Sequence, residues 1–441
     1  EEVNAPYGYT LNENYYEVDV DSNTAYQMDG TSRDVIIEVS YENHPVKGEL
    51  NIVKKGEVLD GFKDDFTYQS ENLEGAVFEV YAAEDIYTAD FQKDDNGNRI
   101  LEYAAGTLVG TVTTDKDGKA QIADLPLGTY KAVEKTAPDG FVLNEEAQTV
   151  TFSYKDQDTA VIEQTAAFDN DRQKVEVSVV KKDAETDAVV AGAEFGLYAK
   201  EDILANENVL VKADTLLGKA VTDEDGKAVF DLDLPFGKYY IRELAAPAGY
   251  VSSDETLDVT AAYQGQDVKV VKLASEFKNQ PTKITVKKSD ITTGVELSGA
   301  TLTVLDKDKN VVDTWKSVKG EEHLIERLTV GETYTLREEM APYGYLKAEE
   351  ITFTVEDTAE IQKVEMKDDV PTEFLEKVSA LDSVGGWLSH LFEYISGSLK
   401  EVTFEVYALE DIKAADGESE DYYKKDDLIA TITTDETGVA K

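Results

Sequence analysis

The sequence predicts an all-β protein built from small β-sandwich repeats in tandem. Val, Ile, Thr, Tyr and Phe recur in short runs separated by clusters of Gly, Asp and Asn, a pattern typical of strands and turns. Three sequence blocks recur in the same order along the 441 residues, which indicates repeated structural units. Many short strands within each ~100 residues favour sandwiches. Units joined by short linkers predict a rod of the beads-on-a-string type.

Each block has a recognisable form. The first is a strand ending in lysine, at residues 50–55 (LNIVKK), 175–182 (VEVSVVKK) and 284–288 (ITVKK). The second is Glu-x-x-Ala-Pro-x-Gly-aromatic, whose acidic residue is Glu2, Glu134, Glu243 or Glu338. Its Pro and Gly are turn residues, because Pro restricts φ and Gly permits a left-handed bend. The third is a closing strand, at residues 41–43, 168–170, 277–279 and 366–368.

The order of the blocks divides the chain into five segments. Residues 1–45 are the C-terminal half of a repeat, 46–172, 173–280 and 281–370 are complete repeats, and 371–441 begin a further one. Because both ends of the chain fall inside a repeat, we expect it to be a fragment of a longer protein.

Three insertions interrupt the repeat pattern. We expect residues 62–74 and 89–105 to be long loops that enlarge the repeat 46–172. Residues 384–399 (VGGWLSHLFEYISGSL) carry apolar residues at helical spacing, which predicts a short amphipathic helix in the last segment. That helix would cover the core of its own repeat or, alternatively, face a partner or a membrane.

Composition excludes several classes of site. The formal net charge of −48, from 43 basic and 91 acidic residues, opposes binding to nucleic acid. The absence of Cys excludes disulfides, Cys-ligated zinc and thiol catalysis, and the three His are far apart in sequence. The acidic stretches 93–98 and 115–118 are typical of turns and lack the ligand spacing of a calcium loop. We therefore expect no metal and no cofactor.

A membrane contact is also not expected within these residues. No apolar run approaches the ~18 residues that a membrane-spanning helix requires. Any membrane contact would then lie outside this fragment.

Strand alternation indicates which lysine of each pair faces the core. Side chains at i, i+2 and i+4 share a face, so Lys54 continues the apolar face of Leu50 and Ile52. The same parity selects Lys181 and Lys288. The neighbouring lysines are directed to solvent: Lys55, Lys182 and Lys287.

The same argument directs an acid and an amide inward. Each Glu of the second block shares a face with an aromatic residue of its strand, and each closing strand ends in an inward Asn or Asp. The resulting sets, one for each complete repeat, are Lys54, Glu134 and Asn170; Lys181, Glu243 and Asn279; and Lys288, Glu338 and Asp368.

Two interpretations of these sets are open. Buried charges are costly unless paired, so the sets can be structural salt bridges with the Asn as a hydrogen-bond partner. Alternatively, burial lowers the pKa of the Lys and raises that of the Glu, leaving a neutral amine and a protonated acid. The protonated Glu would polarise the side-chain carbonyl for attack by the amine. Ammonia would leave from Asn or water from Asp, and a side-chain amide bond would form once.

The repeats resemble the B-type domains of Gram-positive collagen adhesins, also called SpaA-type pilin or prealbumin-like domains. The resemblance rests on "VVKKDAETD", "GAEFGLY", "YIRELAAPAGY" and "FKN" and extends over nearly the whole chain. It implies immunoglobulin-like sandwiches with an intramolecular Lys–Asn or Lys–Asp isopeptide bond, promoted by the Glu, in each of the three sets above.

The resemblance is incomplete at three places. The half-repeat at the start has Glu2 and Asn43 without a Lys, and Lys377 is a weak candidate in the last segment. Gly56 stands where the family usually has an Asp two residues after the Lys, so a bond in the repeat 46–172 is less strongly implied.

The implied function is structural. The resemblance implies a stalk segment of a Gram-positive surface adhesin or a pilus-type subunit, extracellular and attached to the cell wall by a sortase signal outside this fragment. One alternative is a module that itself binds a host glycan or matrix protein, through the enlarged repeat or the segment around Trp387. Another is a spacer within a secreted enzyme. No local motif indicates a turnover enzyme within these residues.

Overall fold

A computed structural model describes residues 1–18, 27–28, 33–34, 39–89, 93–370, 375–376, 378–383, 393–412 and 423–440. Regular secondary structure in these ranges consists of β-strands, which confirms the predicted all-β class. In this part of the chain, no helix is long and apolar enough to cross a membrane.

The strands follow the repeats. Before the first complete repeat lie β1 (Gln27–Met28) and β2 (Arg33–Asp34). The repeat 46–172 contains β3 (Lys47–Phe62), β4 (Phe66–Asn72), β5 (Val77–Ala82), β6 (Ile86–Tyr87), β7 (Leu101–Tyr103), β8 (Leu108–Thr113), β9 (Lys119–Leu125), β10 (Gly128–Thr136), β11 (Gln148–Phe152) and β12 (Val161–Asn170).

The next repeat, 173–280, has a similar series. It contains β13 (Lys174–Asp183), β14 (Glu194–Ala199), β15 (Ile203–Ala205), β16 (Asn208–Val211), β17 (Leu216–Val221), β18 (Lys227–Phe230), β19 (Gly237–Ala245), β20 (Thr256–Ala261) and β21 (Val270–Asn279).

The repeat 281–370 is the shortest of the three. It contains β22 (Lys283–Asp290), β23 (Thr301–Leu305), β24 (Val311–Lys316), β25 (His323–Glu326), β26 (Thr333–Met340), β27 (Ile351–Thr354) and β28 (Gln362–Asp368). The last segment contains β29 (Leu375–Glu376), β30 (Val378–Ser383), β31 (Glu393–Ser398), β32 (Thr403–Tyr407), β33 (Leu428–Thr433) and β34 (Val439–Ala440).

Each complete repeat is a sandwich of two sheets. In the repeat 173–280 one sheet has the order β18-β13-β21 and the other β17-β14-β19-β20. The repeat 281–370 has the equivalent orders β25-β22-β28 and β24-β23-β26-β27. In the repeat 46–172, β12-β3-β4 with β9 on β3 faces β11-β10-β5-β8. The first and last strands of every complete repeat are parallel neighbours.

Alternating side chains from the two sheets form the cores. Phe78 and Tyr130 are fully buried in the repeat 46–172, as are Phe195 and Tyr239 in the repeat 173–280. The smaller core of 281–370 is mainly aliphatic, around the buried Leu336. Period-two burial along β13 and β19 is what the alternating sequence predicts for half-buried strands.

The predicted loop at residues 62–74 is wrong. β3 continues to Phe62 and pairs with β4 as a long antiparallel hairpin. The apolar residues of this insertion form an ordered hairpin because the neighbouring repeat buries them. The predicted loop 89–105 also contains β7, which pairs with β6.

Two further predictions are corrected at the chain ends. Residues 41–43 are not a strand, because no strand in the described part of the chain pairs with them. Of the predicted helix 384–399, residues 384–392 lie outside the described part, and β31 is a strand paired antiparallel with β30. Strand pairing overrides the helical spacing there, where Tyr394 and Ile395 have intrinsic β preference.

Candidate functional site

Strand register brings the predicted Lys and Asn or Asp together. In the parallel pair of β3 and β12, Lys54 lies opposite Phe168, and Asn170 is two residues further along the same face. Lys181 lies opposite Phe277 in the same way, and Lys288 opposite Met366. The Lys and the Asn or Asp of each repeat therefore project from adjacent strands into one core.

The Glu comes from the opposite sheet. Glu134 lies on β10, and the equivalent acids of the later repeats lie on β19 and β26. After each Glu, the Pro-x-Gly turn reverses the chain and returns a backbone N–H to the carboxylate. These N–H groups belong to Asn144, Ser253 and Ala348 and donate to the Glu Oε2 atoms over 2.9, 3.1 and 2.8 Å, respectively.

In the repeat 46–172 the three predicted residues contact one another directly. Lys54 Nζ donates a short hydrogen bond to Asn170 Oδ1 and lies 3.5 Å from Glu134 Oε1. Asn170 Nδ2 donates to Glu134 Oε1 over 3.1 Å. All three residues are at most 3% exposed.

In the repeat 173–280 the amide and the acid are joined most closely. Asn279 Nδ2 donates to both carboxylate oxygens of Glu243, over 2.9 and 2.8 Å, and to the carbonyl of Val251 over 2.7 Å. The buried Asn279 Oδ1 accepts no hydrogen bond within the described structure. Lys181 Nζ lies in the same core, 5.6 Å from the centre of the Phe277 ring.

In the repeat 281–370 two acids share one lysine. Lys288 Nζ forms a close ion pair with Asp368 Oδ1 and lies 3.0 Å from Glu338 Oε1. Neither acid is measurably exposed, and Asp368 Oδ2 is buried without a hydrogen-bond partner in the described part of the chain.

The half-repeat at the start contains two members of such a set. Asn43 Nδ2 donates to Glu2 Oε2 over 2.7 Å and to the carbonyl of Thr10 over 2.8 Å. Both side chains are partly exposed. Lys377, the weak candidate of the last segment, lies outside the described residues.

Burial shifts the pKa values of four of these groups, Lys54, Lys181, Glu243 and Asp368, toward their neutral forms. It lowers the pKa of the Lys181 amine to about 8, although the charges of Glu243 and Asp183 oppose the shift. Burial likewise lowers the pKa of Lys54 and raises the pKa of Glu243. Burial raises the pKa of Asp368 to about 6, despite the opposing effect of Lys288. Attack on a side-chain carbonyl requires the amine in its neutral form.

The position of the Glu differs from the sequence-based expectation. We expected it to polarise the side-chain carbonyl, but in both Asn-containing sets it accepts hydrogen bonds from the amide nitrogen. The acid is therefore placed against the group that would leave.

Sequence reasoning missed a second polar contact beside two of the three lysines, Lys181 and Lys288. Tyr250 donates to Asp183 Oδ2 over 2.9 Å, and Tyr345 forms a side-chain hydrogen bond with Asp290. The repeat 46–172 has Gly56 and Phe141 at the corresponding positions. The sequence does contain a signal for this contact. The Asp two residues after the lysine and the Tyr of the Pro-x-Gly-aromatic turn occur together in two complete repeats, and both are absent from the repeat 46–172.

The described ranges hold no group of three or more side chains arranged to ligate a metal ion. In the acidic stretch 115–118, the Asp115 carboxylate accepts hydrogen bonds from the N–H groups of Asp117 and Lys119, both at 2.9 Å. This is turn geometry, as the sequence predicts.

Comparison with known proteins identifies the domain type. A family model described as the SpaA prealbumin-like fold domain matches residues 63–166, 175–274 and 282–370. Serine-aspartate repeat-containing protein D of Staphylococcus aureus is 30% identical over 167 residues, 35% of this chain and 12% of that protein. The trypsin-resistant surface T6 protein of Streptococcus pyogenes is 27% identical over 204 residues, 42% of this chain and 33% of that protein. The chain thus spans a third or less of these relatives' lengths.

Solved structures give weaker similarities. The Bacillus anthracis TIE protein aligns with 74% of this chain and 51% of its own, at 25% identity and a TM-score of 0.48. BcpA, the major pilin subunit of Bacillus cereus, aligns with 74% of this chain and 100% of its own, at 13% identity and a TM-score of 0.35. Both TM-scores are low, so no argument rests on these alignments. The three family-model matches cover more than half of the sequence, and the chain therefore belongs to the SpaA-type prealbumin-like fold domain family.

Proposed function

We propose that this chain is a structural stalk segment of a Gram-positive cell-surface protein, and that each complete repeat forms one Lys–Asn or Lys–Asp isopeptide bond. The observation that carries the proposal is the burial of the three sets, whose members are all at most 7% exposed. Side chains enclosed in a packed core have no access to an external substrate. Their reaction partners are therefore one another.

In the Asn-containing repeats the reaction is the exchange of one amide for another. The neutral lysine Nζ attacks the side-chain carbonyl carbon, the bond from that carbon to Nδ2 breaks, and ammonia leaves. Glu134 or Glu243 accepts the proton that the amine loses and gives it to the departing nitrogen, which it already contacts. The fold supplies the proximity that free side chains lack.

In the repeat 281–370 the reaction is a condensation. Lys288 Nζ attacks the carboxyl carbon of Asp368, and the carboxyl oxygen leaves as water after accepting a proton through Glu338. The reactive form is the protonated carboxyl group of Asp368. Its hydroxyl group leaves as water once it accepts a further proton, and water is a far better leaving group than hydroxide. The raised pKa of Asp368, about 6, favours that form.

Such a bond would join the first and last strands of each repeat. Closing a loop on the order of 100 residues stabilises a fold by about 4–5 kcal/mol in the chain-entropy description of crosslinks. Pulling force would pass from one parallel strand to the other through the bond, bypassing the rest of the repeat. Unlike a disulfide, an amide cannot be reduced.

Direct contacts between repeats support the stalk role. The N–H of Gln173 donates to the carbonyl of Gly140, and the N–H of Thr282 donates to the carbonyl of Gly249, over 2.8 and 3.0 Å. A relative named as a surface protein, from Streptococcus pyogenes, supports an extracellular location on a Gram-positive cell wall. Attachment would use a sortase signal outside these residues.

The mass of the intact folded chain tests the proposal. Loss of two ammonia molecules and one water lowers it by about 52 Da. Lys54→Ala, Lys181→Ala and Lys288→Ala should each abolish one loss. The adjacent variants Lys55→Ala, Lys182→Ala and Lys287→Ala are matched controls and should keep all three. An unmodified mass in a folded chain would leave buried ion pairs and favour a glycan- or matrix-binding module instead.

A further inference from the structure

One hairpin of the repeat 46–172 extends beyond its own sandwich. The backbone N–H of Leu73 donates to the carbonyl of Lys54 over 3.0 Å, as the N–H of Val190 does to the carbonyl of Lys181 over 2.9 Å. Between the residues joined by these equivalent hydrogen bonds, the repeat 173–280 has the short turn 183–188. The repeat 46–172 has residues 56–71, which we call the tongue.

The tongue inserts apolar side chains into the core of the next repeat. Phe66 is 4% exposed and belongs to the same buried cluster as Phe195 and Tyr239 of the repeat 173–280. Other apolar tongue residues pack against this cluster, namely Leu59, Phe62 and Tyr68. The core of the repeat 173–280 is therefore completed by a segment of its neighbour.

Polar contacts connect both the tongue and the joint between the repeats to Asp233 of the repeat 173–280. Tyr68 donates to the carbonyl of Asp233 over 2.8 Å, and the N–H of Asp233 donates to Asp65 Oδ1 over 2.9 Å. Arg172, in the joint between the repeats, stacks its guanidinium 3.7 Å from the centre of the Tyr68 ring and forms an ion pair with Asp233. Lys174 Nζ lies 3.1 Å from the same carboxylate.

Burial makes this contact costly to open. Arg172 is only 6% exposed, and separating the repeats would break its buried ion pair with Asp233. It would also expose Phe66 and the apolar residues beneath it. A covalent joint alone would leave the angle between the repeats free, whereas the tongue adds a second, separate attachment.

We propose that the tongue is a strut that makes the repeats 46–172 and 173–280 one rigid and cooperatively folding unit. The junction between the repeats 173–280 and 281–370 has no such strut, because the turn 183–188 is short. Its side-chain contact is the ion pair of Arg327 with Asp183. The strut depends on packing and ion pairs, so it is independent of whether the isopeptide bonds form.

Distance measurements in the full chain test the strut. Because the chain has no Cys, spin labels can be placed on Asp117→Cys and Glu224→Cys, one exposed site in each repeat. The parent chain should give one narrow distance distribution. Phe66→Ala should broaden it, and so should replacing residues 56–71 by the six-residue turn 183–188 with Gly at its first position. The exposed Gln69→Ala is the matched control and should leave it narrow.

Hydrogen exchange gives a second readout in the same proteins. Amides of β16 and of residues 231–236 should exchange on the order of 100-fold faster in both tongue variants, as a lost buried aromatic predicts. Label pairs across the next junction, Glu224→Cys with Asp308→Cys, should be unaffected. Unchanged distances and exchange in both tongue variants would overturn the proposal, since each retains residues 47–55 of β3 together with its sheet neighbours β9 and β12.

Discussion

The phenol of Tyr250 donates a 2.9 Å hydrogen bond to the carboxylate of Asp183, and Arg327 of the next repeat binds the same carboxylate at 2.9 Å. Gly249, beside the tyrosine, has φ of +86°, and a Cβ there would lie 2.7 Å from the carbonyl oxygen of Arg327. The left-handed conformation of Gly249 and its lack of a side chain thus let the next repeat approach closely.

The two junctions use opposite charges at one position. Arg327 directly precedes the buried Leu328, as Asp233 directly precedes the buried Leu234. In one junction this position supplies the cation, and in the other it supplies the anion that pairs with Arg172. Exchanging the order of the repeats would therefore bring like charges together, so the junction charges favour one order.

Arg327→Ala should weaken the second junction by about 1 kcal/mol, the low end for a charged hydrogen bond because Arg327 is half-exposed. Burial alone would raise the pKa of Asp183, but hydrogen bonds led by the one from Arg327 hold that pKa well below its usual range. A carboxyl group whose pKa is depressed in the folded state stabilises the fold at pH values above its unfolded pKa of about 3.9. This stabilisation is lost as the pH falls from that value through the folded-state pKa.

The difference in thermal unfolding midpoint between parent and Arg327→Ala, measured from pH 3 to 7, checks this. It should be largest near neutral pH and shrink on the acid side. A difference that grows as the pH falls would contradict the assignment.

Gly56→Ala should destabilise the repeat 46–172 by about 1–3 kcal/mol, as overpacking does in cores. Its Cβ would lie 2.6 Å from Leu73 Cδ1 and from Phe141 Cε1. Gly237→Ala is the matched control, since its Cβ would make only ordinary contacts at 3.5 Å or more. Denaturant unfolding measures the free energy of unfolding of both variants. Equal losses would show that Leu73 and Phe141 can move to accommodate a methyl group at position 56, which would contradict the prediction.

Asp368→Asn should retain the third crosslink but change its leaving group. The fragment containing residues 288 and 368 should then lose about 17 Da instead of about 18 Da. Glu338→Gln should retain the full fragment mass or react much more slowly, because the proton relay is removed. Fragment masses after proteolysis distinguish these results, and rapid crosslinking of Glu338→Gln would exclude the relay.

Mechanical unfolding should reveal the crosslinks one repeat at a time. Pulled from its ends, the parent chain should show no full extension of the repeat 173–280, because force passes through Lys181 and Asn279. Lys181→Ala should add one extension of about 300 Å, the length that roughly 100 residues release. Lys182→Ala should add none. A parent trace that already contains this extension would mean that the bond is absent.

The buried lysines could be predicted from the sequence because strand parity is a local property. In β13 and β22, alternation correctly identified Lys181 and Lys288 as the buried lysines, at 0% and 4% exposure. Lys55 is exposed, whereas Lys182 and Lys287 are half-buried and pair with Glu276 and Glu296, because long side chains lie along the sheet surface.

The local sequence pattern did not predict the secondary structure of segments that depend on contacts with another part of the molecule. Residues 62–74 interrupt the repeat pattern, and the sequence therefore predicts a loop there. The hairpin forms because Phe66 is buried in the repeat that follows. Likewise residues 41–43 carry a strand pattern, but no strand among the described residues pairs with them.

The sequence by itself determined the all-β class, the order of the repeats and the inward direction of Lys54, Glu134 and Asn170, because alternation and repetition are written along the chain. Only the tertiary structure decided how the Glu meets the amide nitrogen and where the tongue and Arg327 dock. Those contacts join residues far apart in sequence or in different repeats, so their geometry depends on how two sheets and two sandwiches pack.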